Sequence, residues 1–262
     1  MTIRLGTRGS ALALAQTELA ANALRLRGFD VQIVIVHTRG DADVSSPLSE
    51  IGRGAFTDVF SEMISRGEID GAVHSAKDLP TDEARDGFFC LPRADARDAL
   101  ISRIGADIGT IGTGSPRRAA AVLARFPDAQ VLLVRGNVDT RLKKLRAGEF
   151  DALVLACAGL DRLHICTDGL QVERLSPETC VPAACQGIIA VEGQCGALIQ
   201  DERAAQAGGI ERRLQRLLGG GCTGGVGAYF DGTRLYAQKE GKICSMTYAG
   251  EESIFALAKE LS

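Results

Sequence analysis

Ile3-Arg4-Leu5-Gly6-Thr7-Arg8-Gly9-Ser10 begins with an apolar triplet of strand type, turns through a glycine-bounded loop and ends on a serine suited to cap a helix. The helix is expected from about Ser10 to Arg27, with Leu12, Ala15, Leu19 and Ala23 at helical spacing and Gly28 as its stop. Val31 to Val36 is rich in β-branched residues and reads as a strand covered on both faces. Phe56 to Ser65 reads as the next helix, before Gly67, and Ala72-Val73 closes the unit with another strand. Strand and helix alternate, the pattern of an α/β domain.

The same order returns beyond the loop around Arg93 to Arg97. A helix is expected from Ser115-Pro116, a strand at Val131 to Val134, a helix at about Thr140 to Arg146 and a strand at Leu153 to Leu155. Ser176 to Gly187, with Pro177, Pro182 and Gly187, reads as a connection, and Ile188 to Val191 as a lone strand able to return to the first sheet. From about Gly208 a helix at Ile210 to Leu218, the glycine loop 219–225, three strands near Val226, Leu235 and Ile243, and a last helix near Glu251 to Leu261 suggest a small α+β domain. The expected division is 1–92 with 188–207, then 93–187, then 208–262. Two α/β units with a crossing strand would enclose a cleft, a preferred place for ligands.

Composition narrows the function. At about 150 residues per domain, 262 residues suit two or three small domains. An apolar share of 45% with 24% charged residues excludes wholesale disorder and collagen-like structure. No apolar run approaches the roughly 18 residues that span a bilayer. Met1 is followed by Arg4, Gly6, Arg8 and Gly9 rather than by an apolar stretch, so no secretion signal is expected and the chain is read as cytoplasmic. A net charge of −3 removes the simplest argument for nucleic acid. The basic residues are 24 Arg and 6 Lys, and arginine's planar fork suits carboxylates, although coding bias alone gives such ratios. Eight cysteines show no Cys-x-x-Cys pair, and no histidine stands at zinc-finger spacing, so no metal site is expected.

Three motifs could carry chemistry. Thr113-Gly114-Ser115-Pro116-Arg117-Arg118 places two arginines in a helix's first turn, where they oppose the helix dipole unless something negative is bound. Thr7-Arg8-Gly9-Ser10 and Arg135-Gly136-Asn137-Val138-Asp139-Thr140-Arg141 repeat the arrangement at strand ends, which line the binding crevice of an open α/β sheet. With no phosphate-loop or Gly-x-Gly-x-x-Gly fingerprint, a ligand with several carboxylates is preferred to a nucleotide. His74-Ser75-Ala76-Lys77-Asp78-Leu79-Pro80 offers a proton carrier, a cation and a carboxylate, although packing, a surface charge and a turn cap are ordinary uses of the three. Gly219-Gly220-Gly221-Cys222-Thr223-Gly224-Gly225 gives one thiol access to a ligand, or is a tight turn with an incidental cysteine.

In order along nearly the whole chain, Thr7-Arg8, Val73-His74-Ser75-Ala76-Lys77-Asp78, Arg97-Asp98-Ala99, Gly112-Thr113 to Arg118, Arg135-Gly136-Asn137-Val138, Ala158-Gly159-Leu160, Gln186-Gly187 and Gly220-Gly221-Cys222 resemble the hydroxymethylbilane synthase (porphobilinogen deaminase) family. The resemblance implies a three-domain transferase that joins four porphobilinogens head to tail, releases ammonia and yields a linear tetrapyrrole. It implies a dipyrromethane cofactor bonded through a thioether to Cys222. Asp78 would be the catalytic carboxylate, holding pyrrole N–H groups and stabilising an azafulvene cation. Cofactor contacts would fall to Ser75, Lys77, Asp78, Thr113, Ser115, Arg117, Arg118 and Arg141, and substrate contacts to Arg8, Ser10, Arg135, Arg141 and Arg162. Porphobilinogen is the expected partner, without nucleic acid or membrane, and the chain is expected to be a monomer.

The expected fold class is α/β: two periplasmic-binding-protein-like domains around a cleft, plus a small C-terminal α+β domain. Such lobes also describe solute-binding proteins that close on anions, so non-catalytic binding, which needs no thiol, is the alternative. A synthase that loads its cofactor without elongating is a second. The chain departs from the family at Ile51-Gly52-Arg53-Gly54-Ala55-Phe56-Thr57-Asp58-Val59, where Gly-Gly-Lys-Gly-Leu-Phe-Thr-Lys-Glu is usual. It departs also at Gly219, at Thr223-Gly224-Gly225 and at Ala184-Cys185-Gln186, which stands for Val-Gly-Gln.

Overall fold

A computed structural model describes residues 1–36, 58–81, 87–219 and 225–262. The chain forms two compact units, Met1–Ala94 with Ile188–Gln206 and Asp95–Gly187 with Ala207–Ser262.

The first unit holds β1 (Thr2–Thr7), α1 (Ala11–Arg25), β2 (Asp30–Ile35), α2 (Asp58–Ser65), β3 (Gly71–Ser75), β4 (Phe88–Cys90) and, from much later in the chain, β10 (Ile189–Glu192). The sheet runs β2-β1-β3-β10-β4; the first three strands are parallel, and β10 is antiparallel to both neighbours. The strand expected at Ile188 to Val191 thus does return to the first sheet. Ile3, Leu5, Ala20, Leu24, Val73, Ile189 and Val191 build the core on one face; Phe60, Ile69 and Ala72 build it on the other. Gly6 permits the second packing, because a Cβ there would collide with the Ile69 and Phe60 side chains.

Two expectations for this unit need correction. The buried stripe of α1 is Gln16, Thr17, Ala20, Ala21 and Leu24, whereas Leu19 is 47% exposed. Alanine and leucine occupy nearly every side of its first half, so apolar spacing could not select the face. Strand β2 lies at the sheet's edge, with Val31 and Ile33 packed on one face and Val34 on the other but Ile35 50% exposed, so its two faces are covered only in part.

The second unit repeats the plan. It contains β5 (Asp98–Arg103), β6 (Thr110–Gly112), α3 (Pro116–Arg125), β7 (Gln130–Leu132), α4 (Val138–Arg146), β8 (Ala152–Ala156), α5 (Cys157–Arg162) and β9 (Leu170–Arg174). The sheet runs β7-β6-β8-β5-β9, with β6 parallel to β7 and β8, and β5 antiparallel to β8 and β9. The strands β5, β6 and β9 are not among those expected from the sequence. In β5 the apolar triplet Ala99-Leu100-Ile101 is short, and the strand begins with an aspartate.

The C-terminal part of this unit adds α6 (Glu202–Leu217, which begins in the first unit), β11 (Gly227–Phe230), β12 (Arg234–Lys239), β13 (Lys242–Thr247) and α7 (Glu251–Glu260). The three strands form an antiparallel meander over a core of Leu214, Leu218, Ala228, Leu235, Ala237, Ile254 and Leu257. Helix α6 starts at Glu202 rather than Ile210. Asp201 caps it, its Oδ1 accepting from the Ala204 N–H at 2.7 Å, and Gly208-Gly209 lie inside the helix without breaking it. Among the described residues no helix is long and apolar enough to cross a membrane.

Candidate active site

In the first unit two loops leave the sheet side by side. β1 and β3 are adjacent and parallel, so the loop after Thr7 and the turn after Ser75 emerge at one carboxyl-terminal edge. Ser10 caps α1, accepting from the Ala13 N–H, and its loop carries half-buried Arg8. β3 runs into a 3-10 turn at Ala76–Asp78, held by the Ala76 N–H donating to the Ile188 carbonyl at 3.1 Å. Gln16 of α1 ties the two segments, its Nε2 donating to Ser75 Oγ at 2.8 Å.

The three chemical residues of this motif separate, His74 lying in β3 and Lys77 and Asp78 in the turn. His74 is buried, with Nε2 2.9 Å from Glu192 Oε2 and its ring edge-on to Phe60, so it packs and bonds inward. Lys77 is half-buried and Asp78 exposed. Among the described residues no ion pair or hydrogen bond engages the Asp78 carboxylate.

The second unit gathers more cations. β7, β6 and β8 are parallel neighbours, so the loops that follow them share one edge. After β6, the Thr113 N–H donates to the Leu132 carbonyl, and Thr113 Oγ1 accepts from the Ser115 N–H at 3.2 Å. Ser115 caps α3, with Pro116 in its opening turn. After β7 come Arg135 and Arg141, whose Nε donates to the Gly136 carbonyl at 2.7 Å. After β8, Arg162 at the end of α5 donates to the Gly187 carbonyl at 2.7 Å.

Burial lowers the Arg141 pKa, and the nearby Arg118 adds to that; burial pushes Arg162 down to about 10, against the attraction of Asp161. Among the described residues neither guanidinium forms an ion pair with a carboxylate. Each is a partly desolvated cation bonded to a backbone carbonyl, and for Arg141 the closeness of Arg118 raises the cost, so an anionic ligand would relieve both.

Arg117 and Arg118 are placed differently, being 4% and 8% exposed. Arg117 Nη1 donates to Asp98 Oδ2 at 2.7 Å and to the Val181 carbonyl at 2.5 Å. Arg118 Nε donates to Asp98 Oδ1 at 2.9 Å, and its Nη1 to the Val154 carbonyl at 3.2 Å. The negative group required in this helix turn is therefore the chain's own Asp98, at the start of β5. Any ligand of these two arginines meets only the donors that Asp98 and the carbonyls leave over. Gln186 completes the shell, its Nε2 donating to Asp98 Oδ1 at 2.9 Å. Burial alone would raise the Asp98 pKa, but the two guanidinium groups outweigh it and hold the carboxyl well below its usual range.

Asp98 and Gln186 stand in motifs whose sequence gives neither a task, and Gln16 stands in none. A polar residue interrupting an apolar helix was the available signal for Gln16. Cys222 and residues 51–57 of the altered family motif lie outside the described residues. Of the other thiols, Cys90, Cys157, Cys180 and Cys185 are buried, and burial pushes Cys157 and Cys180 up to about 12, as befits packing residues.

Fold and site together define an α/β protein whose strand ends present an acid on one sheet and a guanidinium cluster on the other. The family described as "Porphobilinogen deaminase, dipyromethane cofactor binding domain" matches residues 3–200. The porphobilinogen deaminase of Roseiflexus castenholzii is 42% identical over 246 residues, 87% of this chain and 80% of its own. That of Mycolicibacterium gilvum is 42% identical over 249 residues, 86% and 77% of the two chains. The probable porphobilinogen deaminase of Methanocella arvoryzae is 41% identical over 235 residues, 85% and 77%. The chain belongs to the porphobilinogen deaminase family. Among solved structures it is similar to an ancestral arginine-binding protein (TM-score 0.42, 17% identity, 78% of this chain and 91% of that one). It is similar also to the L-cystine solute receptor of Neisseria gonorrhoeae (TM-score 0.43, 14% identity, 78% and 86%).

Removing the Asp98 charge leaves two buried guanidinium groups without their anion, so Asp98→Asn is expected to cost about 3–5 kcal/mol in urea unfolding at pH 7. Because its folded pKa is depressed, the stability Asp98 supplies is fully present above about pH 4 and is lost as the pH falls toward the folded value. The difference between wild type and variant is therefore expected to shrink at pH 3; a constant difference would reject this role.

Proposed function

We propose that Asp78 is the catalytic carboxylate of this synthase and that Cys222 carries its primer, with Arg8, Arg117, Arg118, Arg135, Arg141 and Arg162 holding acetate and propionate groups. Family membership makes the chain a transferase of tetrapyrrole (haem) biosynthesis: a hydroxymethylbilane synthase that condenses four porphobilinogens with loss of ammonia, using a dipyrromethane cofactor. What supports the residue assignments most is the state of Arg141 and Arg162, partly desolvated cations at neighbouring strand ends whose hydrogen bonds go to carbonyls. Several forked donors suit a ligand carrying two carboxylates per pyrrole. The donor set thus fits the cofactor, which when bound supplies the pyrrole end from which the chain is extended.

The chain's own residues do the rest. The guanidinium groups anchor carboxylates and fix the register of the pyrroles. Asp78, on the turn after β3, accepts from pyrrole N–H groups, and its negative charge offsets the positive charge that develops as ammonia departs. Lys77 and Ser75 flank it, with Ser75 held by Gln16. Thr113 and Ser115 shape the turn that leads into Arg117 and Arg118. The reading extends to a cytoplasmic monomer that acts on a small molecule and not on nucleic acid; the net charge of −3 agrees with the last point.

Intact mass is the test of the attachment. The wild-type chain is expected to carry an increment of two pyrrole units that is absent from Cys222→Ala; an increment retained by the variant would place the primer elsewhere, and an unmodified wild type that binds porphobilinogen would favour non-catalytic binding. Asp78→Ala is expected to lose about 10²-fold or more in turnover, measured as ammonia and tetrapyrrole released from porphobilinogen. Near-normal turnover would remove Asp78 from its role.

A further inference from the structure

Two buried polar side chains of the C-terminal part of the second unit have no task in the reaction as described. Gln238 on β12 and Glu211 on α6 are both fully buried. The core beside them is apolar, built on Ala228, Leu235 and Ala237, and an amide or carboxyl group buried there costs free energy unless it is bonded. Both are bonded, and to the segments that hold the arginine pair.

Gln238 Nε2 donates to the Arg117 carbonyl at 2.9 Å, and its Oε1 accepts from the Val181 N–H at 3.2 Å. The Val181 carbonyl in turn accepts from Arg117 Nη1. Gln238 therefore grips both the backbone of the arginine and the residue that receives its guanidinium. Glu211 works one step further back. Its Oε2 accepts from the Cys185 N–H at 2.7 Å and its Oε1 from the Phe230 N–H at 2.8 Å. Cys185 has a φ of 61°, a left-handed conformation that is costly for a residue with a Cβ and persists only where neighbours hold it. The next residue is Gln186, whose Nε2 donates to Asp98 and to the Ala96 carbonyl, and whose Oε1 accepts from Arg118 Nη2 at 3.4 Å.

We infer that Gln238 and Glu211 are positioning residues for the arginine pair, so that the C-terminal sheet and helix set where Arg117 and Arg118 present their donors. Packing alone would be served at position 238 by an apolar residue of similar volume; an amide with both ends spent on the arginine's surroundings does more than fill space. The functional side of this inference rests on the reading of the cluster as the holder of ligand carboxylates.

The test uses the full chain with Gln238→Leu, Gln238→Met and Glu211→Gln, each alone and each combined with Gln186→Ala. Gln238→Met has nearly the shape of glutamine and removes both bonds without burying a charge, so it serves where the leucine variant does not fold. Each single variant is expected to raise KM for porphobilinogen about tenfold with kcat held within about twofold. Glu211→Gln combined with Gln186→Ala is expected to be no worse than Gln186→Ala alone, since both act through one turn. Amide hydrogen exchange, which needs no turnover, is expected to quicken in residues 115–118 for the Gln238 variants and in 96–98 and 184–187 for Glu211→Gln. Unchanged KM, additive losses, or quickened exchange confined to β11, β12 and β13 would overturn the inference. A wild type without turnover would instead defeat the assigned reaction, and exchange would still decide whether these side chains position the pair.

Discussion

One buried carboxylate organises the second unit. Asp98 has no contact with solvent and is met by two guanidinium groups, so each of the three charges is tolerable only in the presence of the others. Breaking such a set by removing one member costs about 3–5 kcal/mol, far more than an exposed ion pair is worth. Because Asp98 begins β5 while Arg117 and Arg118 open α3, the cluster joins the antiparallel strand β5 to the helix that follows β6. It fixes the helix's entry, and with it the edge from which Arg135, Arg141 and Arg162 also emerge.

That edge follows from topology. In each large sheet three parallel strands lie side by side, and an antiparallel strand is inserted beyond them. Parallel neighbours send their following loops to one side, so residues distant in sequence converge without a dedicated scaffold. In the first sheet this brings together Arg8, Ser10 and the Ser75–Asp78 turn; in the second, three loops bearing arginine. Charge separates their surroundings. Arg117 and Arg118 have an internal anion, whereas Arg141 and Arg162 have carbonyl partners and a desolvation cost that a carboxylate from outside can offset.

Local chemistry was the most legible part of the sequence. Ser10 and Ser115 cap the helices they were expected to cap, because a short hydroxyl before a helical run has few other uses there. The strand at Ala72-Val73, which continues through His74 to Ser75, and the returning strand after Gly187 were readable from short apolar runs. What was not legible depends on partners far away in sequence. Asp98 looked like a reason against a strand, and only the two arginines about 20 residues later make its burial possible. The buried face of α1 carries Gln16, which bonds Ser75, beside Ala20, Ala21 and Leu24, so apolar spacing alone does not pick it out. The start of α6 was missed because Gly208-Gly209 resembles a stop, while the cap at Asp201 lies two turns earlier.

The most direct measurement is KM for porphobilinogen in Arg141→Leu and Arg162→Leu beside Arg125→Leu, whose guanidinium forms an exposed ion pair with Glu173 on the surface. If half-buried guanidinium groups without an internal anion are what receive the ligand's carboxylates, the first two raise KM by about 10- to 100-fold, and the third changes it by less than about twofold. Equal KM values in all three would contradict the assignment of ligand carboxylates to the half-buried arginines whose hydrogen bonds go to carbonyls.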